Sequence, residues 1–338
     1  MGQTKKFLYD FRNRINGSGL SVPTALEICA GGGGQALGLE QAGFSHAALV
    51  ELDENACNTL KFNRPLWNVI QEDVNDFDGR PYQGIDLLAG GIPRPPFSVA
   101  GKRLGRDDER DLFPAVMRLT REIRPPFVMV ENVRGLLDAR FSGYRAEIST
   151  EFNYLGYEAE WRLLNASDFG VPQLRPRAIL MAVRRPRSDS FSWPVPVTYP
   201  VPTVGQVLID LMSSRQWAGA ESWSRRADDI APTIVGGSHK HGGPDVGPVR
   251  ARKAWLKLGI DGLGISNEPP GPEFVSEPRL TTRMVARLQG FPDEWEFTGK
   301  KTRAYRQVGN AFPPPVAKAM GRQLLECMGI KQLALMET

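Results

Sequence analysis

A chain of 338 residues, 41% hydrophobic and 24% charged, is long enough to bury one large core and a smaller one. Its 42 Lys and Arg against 38 Asp and Glu leave a net charge of +4 and a pI near 9.0, compatible with a polyanion partner without requiring one. Cys29, Cys57 and Cys327 are too few and scattered for a disulfide framework or a zinc site, and no apolar stretch suits a bilayer span or a secretion signal, so a reducing cytoplasm is the expected setting.

Residues 1–22 are polar and basic, and a helix over 5–15 is too short to read DNA, which favours a flexible arm. Apolar runs at 25–29, 47–51, 85–89, 127–130 and 178–183, with a shorter one at 68–71, predict buried strands. Between them, 35–41, 54–61, 112–123 and 144–155 have helical texture. Alternating strands and helices imply an α/β fold, a mostly parallel sheet covered on both faces. From 186 to 271 the chain is rich in Pro, Gly, Ser and Trp, predicting a smaller, loop-rich domain. Helical texture returns at 281–289 and 315–328. His239 and His241 are expected to be a surface loop pair, not a metal site.

Several segments carry chemistry. Glu27-Ile-Cys29-Ala-Gly31-Gly-Gly-Gly34 follows a strand and opens a helix, where a glycine turn and free N–H groups can approach a ligand. Glu51 ends the next strand, where its carboxylate can accept from ribose hydroxyls, and Asp73 is set to meet an adenine amino group. A nicotinamide dehydrogenase would show much the same glycines and acid. Glu131-Asn132-Val133 closes a strand, putting a carboxylate at its carboxyl end. Gln173, Arg175 and Arg177 alternate along an extended segment and should share a face. Last come Leu288-Gln-Gly-Phe-Pro292 and Arg306-Gln-Val-Gly-Asn310-Ala-Phe-Pro-Pro314.

In their order these motifs, together with Gly90-Gly-Ile-Pro93-Arg94-Pro-Pro-Phe97-Ser98, resemble the ordered set of the DNA cytosine-5 methyltransferases of the bacterial modification type, from about residue 24 to the C-terminus. The chain departs from that pattern at Arg94, which stands where the family carries its nucleophilic cysteine. A guanidinium stays protonated and offers no usable lone pair.

The resemblance implies a Rossmann-like S-adenosyl-L-methionine-dependent fold and no metal. It divides the chain into an arm (1–22), a catalytic and cofactor-binding domain (23–185), a target-recognition domain (186–275) and a C-terminal part (276–338) returning to the first. Cys29, Ala30, Gly31, Gly33, Gly34, Glu51, Leu52, Asp73, Val74 and Asn310 would surround the cofactor, with Cys29 where many members have a phenylalanine. Glu131 would bind ring nitrogen 3 and the exocyclic amine of a flipped cytosine, with Arg177 on its carbonyl and Arg175 supporting the same edge. Ser98, Lys102, Arg103 and Arg106 would close over double-stranded DNA, and Gln173, Thr233, Gly236, Arg250 and Arg252 would contact it. The segment 244–258 is equally an amphipathic surface helix with Trp255 turned inward. The implied form is a monomer on DNA, with a cognate restriction endonuclease as companion and Arg94 disabling turnover, whether engineered or natural. A cofactor- and DNA-binding paralogue, or a partner subunit of an active chain, is the competing class; a tRNA-directed member of the family is a third.

Overall fold

The computed structural model describes residues 22–93, 111–236 and 246–330. The arm over 1–21, the loop carrying Arg94, Ser98, Lys102, Arg103 and Arg106, and His239 with His241 lie outside the described residues.

One seven-stranded sheet organises the chain. Strands β1 (Thr24–Ile28), β2 (Ser45–Glu51), β3 (Val69–Gln71), β4 (Leu87–Gly91) and β5 (Phe127–Val133) run parallel. β6 (Tyr157–Asn165) and β7 (Pro176–Arg184) complete it in the order β3-β2-β1-β4-β5-β7-β6, with β7 antiparallel to both neighbours. The mostly parallel sheet is as the sequence predicts. β6 is the strand that the apolar runs miss, because an edge strand with one wet face carries polar residues at alternate positions.

Period-two alternation sends successive side chains to opposite faces. Helices α1 (Gly34–Ala42) and α2 (Glu54–Asn63) follow β1 and β2, and Leu26, Ile28, Leu88, Val128 and Val130 pack on one side of the sheet against α3 (Phe113–Ile123) and α4 (Ser142–Tyr154). Ala25, Leu87, Phe127, Met129 and Met181 pack on the other side with Leu39 of α1. Burying each such Leu, Ile, Met or Phe contributes roughly 1.5–3 kcal/mol.

The region after β7 holds α5 (Val204–Ser213), α6 (Ala220–Arg226) and α7 (Val249–Lys257), followed by α8 (Thr282–Leu288), α9 (Lys301–Asn310) and α10 (Pro314–Cys327). α5 and α6 are more regular than the loop-rich expectation. The signal was local: Thr203 and Gln206 form a reciprocal capping box at the start of α5. The buried side chains of α5, α6 and α7 join those of α8 and α9, and Leu37, Leu49 and Leu60 of the first part, in one shared core. Trp255 is fully buried within it, so α7 takes the inward-tryptophan arrangement, leaving Arg250 exposed and Arg252 half-buried. α10 lies against α1: a Cβ at Gly38 would stand 2.3 Å from the Pro314 carbonyl oxygen, so only glycine permits this approach.

No helix of the described residues is long and apolar enough to cross a membrane. The three cysteines are free thiols.

Candidate active site

The parallel strands reverse their order of addition between β1 and β4, and the crevice beyond the carboxyl ends of such strands is where ligands of doubly wound sheets bind. A cavity of about 950 Å³ opens there. Cys29, Ala30, Gly31, Gly34, Glu51, Leu52 and Asn310 line it at one end; Glu131 and Arg177 line it at the other. Gly33, Asp73 and Val74 are not among the lining residues. Gly33 sits behind the turn against Leu60 and Trp295, Asp73 accepts from the Asn75 amide at 2.9 Å, and Val74 is buried.

Glu51 shapes the turn. Its Oε2 accepts from the Gly31 amide at 2.7 Å, and its Oε1 accepts from the amides of Leu52 and Asp53 at 2.9 and 2.8 Å. Cys29 takes a left-handed φ of 52°, rare outside glycine. Burial, and then the carboxylates of Glu51, Asp73 and Glu27, push its thiol far above the usual range, so it stays protonated at neutral pH.

Glu131 and Arg177 meet because β5 and β7 are antiparallel: the carboxyl end of one lies beside the amino end of the other, with Val133 opposite Arg177. Arg177 Nε lies 2.7 Å from Glu131 Oε1, and both side chains are nearly buried. Burial raises the Glu131 pKa above the ordinary carboxylate range, opposed by Arg177 and, less directly, by Arg175. Asn132 donates to the Ile92 carbonyl at 3.3 Å and so ties the end of β5 to the residues leading into the Arg94 loop.

Two expected contacts are corrected. Arg175 is fully buried and does not line the cavity: it donates to the carbonyls of Ile234, Gly309 and Ala311 at 2.6, 2.9 and 2.9 Å. Burial lowers its pKa well below the usual arginine value, with Arg177 adding to that effect and Glu131 opposing it. Gln173 is also fully buried, donating to Leu288 O and Gln289 Oε1 and accepting from Ile234 N, so its side chain is not on a DNA-facing surface. The physical reason is that Ile234 adds itself alongside this segment and covers the face that Gln173 and Arg175 share, while Arg177, past the start of β7, reaches the cavity. Thr233 donates from its hydroxyl to the Leu174 carbonyl, and Gly236 lies against Asn310.

Glu27, Arg306 and Gln307, to whose side chains the sequence reading assigned no role within their motifs, also line the cavity, as do Gln35, Asp53 and Arg303, which it missed. Both polar atoms of the Gln35 amide are buried without a hydrogen-bond partner, and the buried Glu27 carboxylate has none of good geometry, the Ala36 amide being the nearest donor. Burial, then Glu51, raises the Glu27 pKa well above the usual range, and the nearby Ala36 amide offsets this only in part. Unpaired buried polar groups are costly, so such a cluster at a cavity wall points to a ligand that supplies the missing partners. An ammonium would do so. The acids around the turn, Glu27, Glu51, Asp53 and Glu54, suit a cationic nucleoside-type cofactor, whereas a pyrophosphate would meet carboxylates and find the Gly31 amide already engaged. The residues present therefore fit S-adenosyl-L-methionine, with its sulfonium and ammonium charges, better than a nicotinamide dinucleotide. No cluster of metal-ligating side chains occurs among the described residues.

A doubly wound sheet with this acid-rich crevice is the fold of the S-adenosylmethionine-dependent methyltransferases, and a solved structure, the Entamoeba histolytica methyltransferase EhMeth, shares it. Its TM-score is 0.65 at 14% identity, covering 93% of this chain and 100% of that one. Residues 24–326 match the family model described as C-5 cytosine-specific DNA methylase, and the chain belongs to that family. Among its relatives, the Type II methyltransferase M.NaeI of Lentzea aerocolonigenes is 54% identical over 312 residues, covering 90% of this chain and 75% of the relative. The Type II methyltransferase M.NgoMIV of Neisseria gonorrhoeae is 53% identical over 318 residues, covering 90% and 98%.

Proposed function

We propose that this chain is built to transfer a methyl group from S-adenosyl-L-methionine to carbon-5 of a cytosine flipped out of double-stranded DNA at a specific site, and that Arg94 leaves it with little or no turnover. The observation that carries the reading is one cavity holding both the acid-lined glycine turn and, at its other end, the Glu131–Arg177 pair.

The cofactor, when bound, supplies an electrophilic methyl group. Carbon-5 of cytosine is a poor nucleophile until a thiolate adds to carbon-6 and produces an enamine. Glu131, with its raised pKa, holds a proton at ring nitrogen 3 and withdraws electron density from carbon-6. Arg177 orients that carboxyl group and meets the base carbonyl. Glu51 and Asn310 position the nucleoside part of the cofactor, and Glu27 with Gln35 takes up its ammonium. Arg94 performs none of the thiolate's work, since its guanidinium stays protonated. Cys29 is no substitute, because its thiol is held protonated.

On this reading residues 186–275 recognise the DNA site. Thr233, Gly236, Arg250 and Arg252 contact the duplex, while Ser98, Lys102, Arg103 and Arg106 close over its backbone. The protein acts as a monomer in the bacterial cytoplasm, in a system that also holds a cognate endonuclease. Arg94 equally suits a chain that binds cofactor and DNA without turnover, alone or as the partner of an active subunit.

The test is Arg94→Cys. The variant should transfer labelled methyl groups to carbon-5 of cytosine in duplex DNA and form a covalent adduct with 5-fluorocytosine DNA, which the Arg94 form should not. Robust methylation by the Arg94 form would overturn the assignment of the nucleophile. Silence from a folded, cofactor-binding Arg94→Cys protein would favour the non-catalytic alternative.

A further inference from the structure

Arg175 and the residues around it connect the two ligand-binding regions of the proposed function. The strap formed by residues 233–236, within the proposed recognition region, passes between the start of β7 and the end of α9. Arg175 grips it from one side: its guanidinium donates to Ile234 O at 2.6 Å, and to Gly309 O and Ala311 O, each at 2.9 Å. The last two carbonyls flank Asn310, which lines the cofactor end of the cavity. One buried cation thus bonds simultaneously to the strap and to both sides of a cavity-wall residue.

The contact leaves no slack. A Cβ on Gly309 would stand 2.4 Å from Gly236 Cα, and a Cβ on Gly236 would stand 2.3 Å from Asn310 Oδ1. Tyr305, one turn before Gly309, donates its hydroxyl to Val235 O at 2.9 Å. Gln173 accepts from Ile234 N at 2.9 Å and donates to Gln289, which donates onward to Val308 O at 2.8 Å. Three backbone groups of the strap, Ile234 N, Ile234 O and Val235 O, are therefore held by the side chains of Gln173, Arg175 and Tyr305, each tied directly or through Gln289 to α9. A displacement of the strap must move residues 308–311 with it, or leave a buried guanidinium facing unfilled carbonyl positions, which is the costlier course.

We infer that Arg175 is a positioning residue whose grip on Ile234, Gly309 and Ala311 couples the cofactor wall at Asn310 to the recognition strap, so that filling the cofactor cavity steadies the segment offered to DNA. The inference rests on the proposed cofactor reading. Coupling of this kind is reciprocal: DNA that engages the strap tightens the cofactor to the same degree.

The experiment follows amide hydrogen exchange across residues 231–236 by mass spectrometry, with and without saturating S-adenosylhomocysteine, in the parent, Arg175→Lys and Tyr305→Phe. Tyr305→Phe removes one hydroxyl from the strap and keeps its ring, so it remains informative if Arg175→Lys fails to fold. The parent should show exchange slowed by about 5-fold or more on ligand binding, the lower end of typical coupling strengths. Arg175→Lys should still bind the ligand with most of that slowing lost, and Tyr305→Phe, which removes one anchor of the strap and keeps the Arg175 grip, should lose a measurable part of it. A purely structural role would lower the melting temperature of the variants yet preserve the ligand-dependent slowing, and that result overturns the inference. So does a parent that binds S-adenosylhomocysteine without any change at 231–236. A parent that does not bind S-adenosylhomocysteine at all would instead overturn the cofactor reading beneath it.

Discussion

Glu51→Ala tests the cofactor end of the cavity with two readouts that part company. The substitution deletes the acceptor of three backbone amides, at 2.7, 2.9 and 2.8 Å. Those of Leu52 and Asp53 are solvent-exposed and can turn to water, whereas the Gly31 amide is partly buried. Leaving that one donor unsatisfied should cost about 1–3 kcal/mol of stability. If the same carboxylate also accepts from a ribose hydroxyl, binding loses a further charge-assisted hydrogen bond of about 1.5–3 kcal/mol. At 1.4 kcal/mol per decade, the dissociation constant for S-adenosylhomocysteine should rise on the order of 10- to 150-fold. Glu51→Gln, which keeps one carbonyl oxygen, should fall between. Thermal melting reports the first effect and calorimetric titration the second. A folded Glu51→Ala protein that melts lower but binds S-adenosylhomocysteine as tightly as the parent would refute the contact and leave Glu51 as a brace for the turn.

Glu27 makes a prediction about pH. Its folded pKa is raised, so the stability it contributes is complete below the unfolded value of about 4.3 and is lost as pH rises through the folded value. Without ligand, Glu27→Gln should flatten the decline of stability above that range; parallel curves for parent and variant in chemical denaturation would show that Glu27 does not carry it. For DNA, replacing Lys102, Arg103 and Arg106 by alanine should flatten the dependence of affinity on salt, because fewer counterions are released. A slope equal to the parent's, measured by fluorescence anisotropy, would detach this loop from the phosphate backbone.

The sheet was legible in the sequence because its parallel strands are buried on both faces and so appear as mostly apolar runs; all five residues of β1 are buried. The same reading hid Glu27, which sits inside such a run and was absorbed as a strand residue. Glu131 and Arg177 were legible as strand-end charges, but their 2.7 Å pairing follows from the antiparallel seating of β7, which no local pattern announces. Gln173 and Arg175 mark the limit of periodicity arguments. Alternation told correctly that they share a side of the backbone, since both reach Ile234. What occupies that side is another segment, brought there by a fold contact far along the chain, and not the substrate.

The seating of α10 on α1 has a consequence for biosynthesis. The helix that begins at the cofactor turn leaves the ribosome long before its partner, which among the described residues is the last helix in the chain. Until Pro314–Cys327 emerges, Leu39, Phe44 and the sheet residues Ala25 and Phe127 have no cover from Val316, Ala317, Met320 and Leu324. The nascent chain therefore carries an open apolar face until α10 emerges, and a message truncated ahead of Pro313 yields a product for chaperones and proteases in place of a half-working binder.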